Sequence, residues 1–494
     1  MHRDLALSID LQLHAFRDAM AYFEVCVRPF LVGCAIPNQP RPLNEAEWAQ
    51  LPRIMQHALV YAVSSHRVSR GQAEGEMGKV VLRRLHEHRG RALALLRGHL
   101  GLLEEGEEEE DAGTWTQPKQ GAIQLGGKAK WRAPGWSGLV LITMMLGNEV
   151  QLSAFGKQGW KWHFEAAWKC VDMLDGGLRG GPPGLGGERL AALEKSYKHG
   201  IEPELACTYL LQIEVLSATT TPIWKLERRE GVREALGEGI LEGLEDRILI
   251  SSCPCPLSVL RALAEINDLR IGLYRRRYET VAIPDDLMGC GSEEVSKRLW
   301  DILTTLLCFD ANAWANQVYE RHYTKLPPSS DALTPRDTWQ HYWATAARCY
   351  HSAAVVYLVR AFQSNHLKSP LLRECAETTA VLLDEHRQTL SDGLKFLTED
   401  SSAADPVERA PRLWRFISWP LFVDAYNAVS WPDVGGLVDL GKMRIDRLTT
   451  LGRHMGVNAM LDAVVALEEV QFGRKHTWSW QWDDGFQDRC IFAL

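Results

Sequence analysis

The chain has 494 residues and a formal charge of −8, from 55 Lys and Arg against 63 Asp and Glu, and 46% of its residues are hydrophobic. This hydrophobic fraction excludes a disordered chain, and the acidic balance disfavours a free-standing nucleic-acid-binding protein, because such proteins usually carry a basic patch. No apolar run reaches the roughly 18–20 residues of a membrane span. We therefore expect no membrane partner. Asp4 and Asp10 interrupt the N-terminal stretch, so we expect no secretory signal either.

Helical periodicity is the main pattern in the chain. Trp160, Phe164, Ala167, Val171 and Leu174 follow one another at intervals of four and three residues, which places one apolar stripe along a helix. Similar stripes run over 343–361 and 372–397, and further helices are predicted near 4–31, 53–69, 79–103, 138–153, 205–218, 256–276, 294–324, 420–429 and 440–472. Alternating β-branched runs bounded by turn residues are almost absent. The predicted fold class is therefore all-α, a single large multi-helix domain with inserted flexible loops.

Two stretches interrupt the helical pattern and predict loops at 104–137 and 176–200. The first begins with an acidic run, which is usually solvated. The second contains GGLRGGPPGLGG at 176–187 and lacks the preceding strand, and the Lys and Ser/Thr after its last glycine, that a phosphate-binding loop needs. We expect one helical domain over 1–477 and an aromatic C-terminal tail over 478–494. The tail alternates Trp with polar residues, which predicts an extended segment docked in a surface groove or, alternatively, a hook for a partner.

The sequence offers little for metal binding or catalysis. Its 11 cysteines include no C-x-x-C pair, and the closest two, Cys253 and Cys255, are wrongly spaced for a zinc site, so reduced thiols are expected. His86 and His88 lie two residues apart and point to different sides of a helix. We therefore predict no metal ligand, no catalytic residue and no cofactor in this chain.

The strongest indication of an enzyme lies in the C-terminal segment. Asp483-Asp484-Gly485-Phe486-Gln487-Asp488 could hold Mg²⁺ and a diphosphate, as in an all-α metal-dependent enzyme. Against this, Gly485 weakens a helix, and Asn267-Asp268 is no second metal-binding motif, because Ile271 stands where a hydroxyl ligand would be needed. We favour a polar turn for this segment and keep the enzyme as an alternative.

Six stretches resemble, in order, the motifs of one known family. They are MQHALVYAVSSHR (55–67), LITMMLGNEVQLSAFGKQGWKWHFEAAWKCVDML (141–174), LLQIEVLSATTTP (210–222), CPCPLSVLRALAEINDL (253–269), ATAARCYHSAAVVYLVRAF (344–362) and FISWPLFVDAYNAV (416–429). Together they resemble the regulatory region of fungal zinc-cluster transcription factors, in the second of the two fungal-specific regulatory-domain families. The chain departs from the family pattern at Glu214 in place of Asp, at Cys253 in place of Gly, and at Asp424-Ala425 in place of small residues. The six-cysteine zinc-cluster DNA-binding domain is missing, so we expect an excised regulatory region or a relative that lost this module.

The resemblance implies a regulatory domain that controls transcription in the nucleus in response to a small effector, with shuttling from the cytoplasm left open. It also implies transcriptional co-regulators as partners, a homodimer as an option, and contact with DNA and zinc only through the missing domain. A helical dimerisation scaffold that senses no ligand is the alternative. The ligand-binding candidates are aromatic or amphipathic residues for which core packing is the competing interpretation: Trp160, His163, Trp343, Tyr350, Trp419 and Phe422.

Pro420 predicts where one of these helices begins. Proline is tolerated in a first helical turn, where its missing N–H has no partner in any case. We therefore start a helix at residue 420 and place Phe422, Ala425, Tyr426 and Val429 on its buried side. A kink at Pro420 within a longer helix is the alternative.

Overall fold

The computed structural model describes residues 14–27, 53–72, 74–110, 163–168, 203–221, 226, 255–278, 292–322, 336–362, 370–399, 417–429, 437–455 and 458–471. Every regular element in these residues is a helix, so the all-α fold class is confirmed. None of the helices within the described ranges is long and apolar enough to cross a membrane.

The chain divides into two compact units. The first comprises residues 1–30, 40–210 and 456–458, and the second comprises 31–39, 211–455 and 459–494. The predicted boundary between a domain over 1–477 and a tail over 478–494 lies outside the described residues and stays a prediction.

The first unit is built on a helical hairpin. Its helices are α1 (14–22), which runs into a π-helical turn (Phe23–Val27), α2 (Arg53–Ser69), α3 (Gly75–Glu110) and α4 (163–168). α2 packs along α3 and also contacts the π-helical turn. α2 ends in a Schellman motif: the Gln72 N–H donates to the Arg67 carbonyl at 2.9 Å, and the Gly71 N–H donates to the Val68 carbonyl at 2.9 Å. Gly71 has a φ of 71°, which favours glycine and allows the chain to turn back into α3.

One predicted loop begins later than expected. We placed it from residue 104, but α3 continues through the acidic run to Glu110. Glutamate has a high helix propensity, which explains why a run without apolar periodicity still continues a helix. The rest of this loop, 111–137, and the loop at 176–200 lie outside the described residues.

The second unit surrounds one central helix. Its helices are α5 (Pro203–Thr220, from Leu211 onward), α6 (Leu257–Tyr278), α7 (Ser292–Leu307), α8 (Ala311–His322), α9 (Arg336–Phe362), α10 (Pro370–Glu399), α11 (Ser418–Val429), α12 (Leu437–Met455) and α13 (Asn458–Gln471, from Ala459 onward). α9 packs against α6, α7, α8, α10 and α11. Ala346, Ala347, Ala353 and Ala354 are fully buried, and their small side chains let the neighbouring helices approach α9.

The helix predicted over 294–324 is two helices, α7 and α8. Asp310 separates them, because its Oδ1 accepts hydrogen bonds from the backbone N–H groups of Asn312 (2.8 Å) and Ala313 (3.0 Å). This is the pattern of an N-cap, which begins a new helix. The helix predicted over 440–472 is likewise two helices, α12 and α13.

The position of Pro420 in the first turn of α11 is confirmed, although the helix begins two residues earlier, at Ser418. The Leu421 N–H donates to the Ile417 carbonyl at 2.9 Å, so Pro420 stands where a helix needs no donor. The four residues predicted to be buried are buried, and so are Asp424 and Asn427 on the other side of the helix. α11 is therefore enclosed on all sides.

Replacing Gly393 with Ala tests the packing of α9 against α10. A Cβ at Gly393 would lie 2.8 Å from Cys349 Sγ and 3.4 Å from Thr345 Cγ2. We expect Gly393→Ala to lower the free energy of unfolding by about 1–2 kcal/mol, because overpacking outweighs the helix propensity of alanine. Urea unfolding followed by circular dichroism measures this.

Two further variants make the test specific. Gly90→Ala meets no atom within 4 Å and should be neutral or stabilising by up to about 1 kcal/mol. Removing the sulfur in Cys349→Ala/Gly393→Ala should restore part of the lost stability. A Gly393→Ala protein as stable as the parent would contradict the close approach of α9 and α10.

Candidate functional site

The sequence-predicted ligand-binding residues fall in both units. His163 is a buried residue of α4 in the first unit, and Trp160 lies outside the described residues. Trp343 and Tyr350 on α9 and Trp419 and Phe422 on α11 are buried in the second unit. The structure brings Tyr350 and Trp419 together, with ring centroids 6.1 Å apart and planes at 12°. Trp343 instead packs against Trp314, and Phe422 against Tyr426.

Trp419 connects α11 to two other helices. Its Nε1–H donates to Thr219 Oγ1 at 2.8 Å, so the fully buried indole keeps a hydrogen bond to α5. The Tyr357 ring meets it edge-on, at 6.5 Å and 80°, on the side of α9 that also carries Tyr350. Helices α5, α9 and α11 are thus joined through one side chain.

A buried polar network continues from Tyr357 into α6. The Tyr357 hydroxyl donates to Asn267 Oδ1 at 2.5 Å and accepts a hydrogen bond from Arg270 Nη1. Asn267 Nδ2 donates to the Val215 carbonyl at 2.9 Å, and Arg270 Nη1 also donates to the Ala218 carbonyl at 3.3 Å. The Arg270 side chain is fully buried, and the hydrogen bonds of its Nη1 offset part of the cost of burying the charge. We call Thr219, Asn267, Arg270, Tyr350, Tyr357 and Trp419 the Trp419 centre.

Asp424 on α11 forms a second buried polar contact. Its Oδ2 lies 2.7 Å from Arg444 Nε, and both side chains are only 8% exposed. The two atoms form an ion pair but are not aligned for a hydrogen bond. Arg444 also donates to Ser391 Oγ, which ties α12 to α10. Burial raises the pKa of Asp424 to about 6, and three guanidinium groups act in the opposite direction: Arg444, Arg447 and Arg387.

Arg360 at the end of α9 joins the same side of α11. Its Nε and Nη2 donate to Asn427 Oδ1 at 3.0 and 2.9 Å. Burial lowers the pKa of Arg360 to about 10, and the charge of Arg387 acts in the same direction. Arg360 stays charged at neutral pH, so charged groups as well as Trp419 fix α11 to its neighbours.

Two histidines of the second unit are in contact on α9 and α10. The rings of His351 and His386 meet edge-on at 5.1 Å, and Ser352 Oγ lies 3.2 Å from His386 Nδ1. Burial lowers the pKa of His351 to about 4, with the charge of His386 adding to the effect and the Leu306 carbonyl opposing it. Burial also lowers the pKa of His386. Both imidazoles are therefore neutral at pH 7.

Metal binding finds no support in the described part of the chain. No group of three or more His, Cys, Asp or Glu side chains there could hold a metal ion. Cys26, Cys255, Cys308 and Cys349 carry free thiols, as predicted. The aspartate motif at 483–488 lies outside the described residues, so the predictions about it remain open.

Sequence reasoning missed most of the polar residues of the Trp419 centre. Asn267 was considered only as part of an incomplete metal motif, although it lies three residues from Arg270 on the buried side of α6. A polar pair at this spacing within an apolar helix face is the signal that could have found it. Thr219 and Tyr357 carry no such signal, because their partners lie far away in the chain.

Tyr357→Phe tests the polar half of the Trp419 centre. The change keeps the ring but removes the hydroxyl that both Asn267 and Arg270 contact, so it should lower the free energy of unfolding by about 1–3 kcal/mol. Tyr342→Phe on the same helix retains its ring contact with Phe396 (5.1 Å between centroids) and should cost clearly less. Equal losses in urea unfolding of the two variants would contradict the network.

A pH prediction follows from His351. Its pKa in the folded protein, about 4, lies below its ordinary value of 6.5, so this histidine contributes stability that is present above pH 6.5 and is lost as the pH falls towards 4. Between pH 7 and pH 5 the loss should be roughly 2 kcal/mol. The raised pKa of Asp424 acts in the opposite direction over this range, so the measurement compares the parent with His351→Gln by urea unfolding. The variant should lose roughly 2 kcal/mol less, and an identical loss would contradict the prediction.

Most of the chain matches the model of one known protein family. The family model described as the fungal specific transcription factor domain matches residues 44–464, which is more than four fifths of the chain and includes parts of both units. No curated protein and no solved structure gives a significant match. This family consists of transcription-factor domains and is not a known enzyme family. The chain therefore belongs to the fungal specific transcription factor domain family, and its role lies in the regulation of transcription.

Proposed function

We propose that this chain is the effector-sensing regulatory domain of a nuclear fungal transcription factor, and that the Trp419 centre is where a small effector acts. In this proposal the chain itself binds no metal or cofactor and has no catalytic activity. A separate zinc-cluster domain contacts DNA, and co-regulators bind the surface of the helical body.

The composition of the Trp419 centre supports an effector site. Ligand sites combine apolar and aromatic walls with a few fixed polar groups, and here two rings flank Trp419 while Asn267 and Arg270 lie beside Tyr357. A buried guanidinium such as Arg270 is costly compared with an apolar side chain of similar size. Its presence among aromatic rings is the observation that carries the proposal.

The donors of the centre indicate the class of effector. The Trp419 indole N–H, the Tyr357 hydroxyl and the Arg270 guanidinium all donate hydrogen bonds. An effector that replaces their present acceptors must offer oxygen acceptors of its own, and the flanking rings favour a planar apolar body. We therefore propose a planar organic acid.

The mechanism is a shift between two arrangements of the helices. The effector stabilises the arrangement that binds it better, and the shift cannot exceed that difference in affinity. The Trp419 centre joins α5, α6, α9 and α11, so a change there alters the surface that these helices present to co-regulators.

A thermal-shift screen tests the proposal. Planar carboxylic acids are compared with neutral and cationic compounds of the same ring size, and an acid at 100 times its dissociation constant should add about 2.7 kcal/mol of stability. Arg270→Gln should abolish this gain. Arg348→Gln should keep this gain. Arg348 lies elsewhere on α9 and donates hydrogen bonds to Asn312 on α8 and to Thr345.

The outcomes separate the parts of the proposal. If an acid stabilises the parent and Arg270→Gln equally, the domain senses an effector, but the Trp419 centre is not the site where it binds. If no compound class stabilises the protein, the domain is an interaction scaffold. Sedimentation should then show a dimer mass that persists on dilution.

A further inference from the structure

A pair of histidines in the first unit lies apart from the proposed effector site. His57 on α2 and His88 on α3 face each other, with their Nδ1 atoms 2.9 Å apart and their ring centroids at 5.0 Å. His88 is buried and His57 is partly exposed. A hydrogen bond between two Nδ1 atoms needs one of them to be an unprotonated acceptor. The contact therefore exists only while at least one ring is neutral.

Most of the charged groups around the pair oppose its protonation. Arg53 on α2 and Arg84 and Arg91 on α3 place positive charge near it. The nearby acid, Glu87, is engaged in an ion pair with Arg91 at 2.5 Å. On α1, Asp18 forms an ion pair with Arg84, in which Oδ2 lies 2.8 Å from Nη1.

Burial and these charges act on the two rings in the same direction. Burial lowers the pKa of His88 to about 4, and the charges of His57, Arg91 and Arg84 add to the effect. Burial also lowers the pKa of His57, with Glu87 opposing it. Because these values lie below 6.5, the pair contributes stability that is present above pH 6.5 and is lost as the pH falls.

We propose that His57 and His88 form an acid-sensitive latch between α2 and α3. At neutral pH one imidazole donates to the other and fastens the two helices. Protonating both rings in the closed pair would set two N–H donors and two positive charges against each other. The open arrangement therefore binds protons more tightly, and acid shifts α2 and α3 towards it. This regulatory device belongs to the first unit and goes beyond the proposed effector response of the second.

Hydrogen exchange of the full chain, read by mass spectrometry at pH 7.0 and 5.0 and corrected for intrinsic rates, tests the latch. Peptides from 53–69 and 75–96 should exchange at least about tenfold faster at pH 5.0 in the parent protein. In His57→Gln/His88→Gln, which has no titrating ring at this contact, this acid response should disappear. His86→Gln, two residues along α3 with an exposed side chain, should respond as the parent does.

Two results would overturn the latch: an acid response in the double variant equal to that of the parent, or no acid response in the parent. Peptides from 336–362 report His351 in the second unit, so a general acid effect is seen separately. If the double variant does not fold, NMR titration of ¹³C-labelled histidines in the parent decides the question. A His88 that titrates at or above 6.5 removes the latch, and one that titrates below 5 supports it.

Discussion

Burying the Trp419 indole obliges its N–H to find an acceptor, and Thr219 supplies one from another helix. This requirement fixes the position of α11 relative to α5, and the flanking tyrosines fix both relative to α9. Tyr357 then extends the same requirement to α6, because its hydroxyl lies between Asn267 and Arg270. Apolar burial drives the helices together, but it is not directional. The hydrogen bonds of the Trp419 centre select one arrangement among the many that would bury similar area.

In our proposal the same polar groups connect the fold to its role in regulation. An ion pair such as Asp424–Arg444 is a weak source of stability, since the cost of removing both charges from water offsets their attraction. Such contacts define one arrangement of the helices, and this arrangement is lost when one partner changes its protonation state or its hydrogen bonds. A domain that must respond to an effector or to acid benefits from such groups at its helix junctions. The second unit has them around α11, and the first has His57 and His88 between α2 and α3.

The sequence predicted local structure well and long-range contacts poorly. The periodicity and bounds of α2 were predicted as they occur, and the first-turn position of Pro420 followed from its missing N–H. The break between α7 and α8 was missed because apolar periodicity continues across it, while the capping role of Asp310 depends on one side chain. The family match was predicted from the order of six motifs, and that order does not depend on exact helix bounds.

The polar residues of the sites could not be predicted in the same way. His88 was assessed only against His86 on its own helix, whereas its partner is His57, 31 residues earlier on α2. Tyr357 and Asn267 are 90 residues apart, so no spacing rule joins them. A polar residue on a helix is usually exposed, and only the tertiary packing shows that Asp424 and Asn427 are buried.

A double-mutant cycle between Thr219→Val and Tyr357→Phe tests the central claim, that the Trp419 centre acts as one unit. Thr219→Val removes the hydrogen bond to Trp419 on α11, and Tyr357→Phe removes the two to Asn267 and Arg270 on α6. The two mutated residues are linked through the Trp419 ring. If the centre is one unit, the losses in the free energy of unfolding should differ from additivity by at least about 0.5 kcal/mol. Losses that add within about 0.3 kcal/mol would mean two independent contacts and would contradict the account.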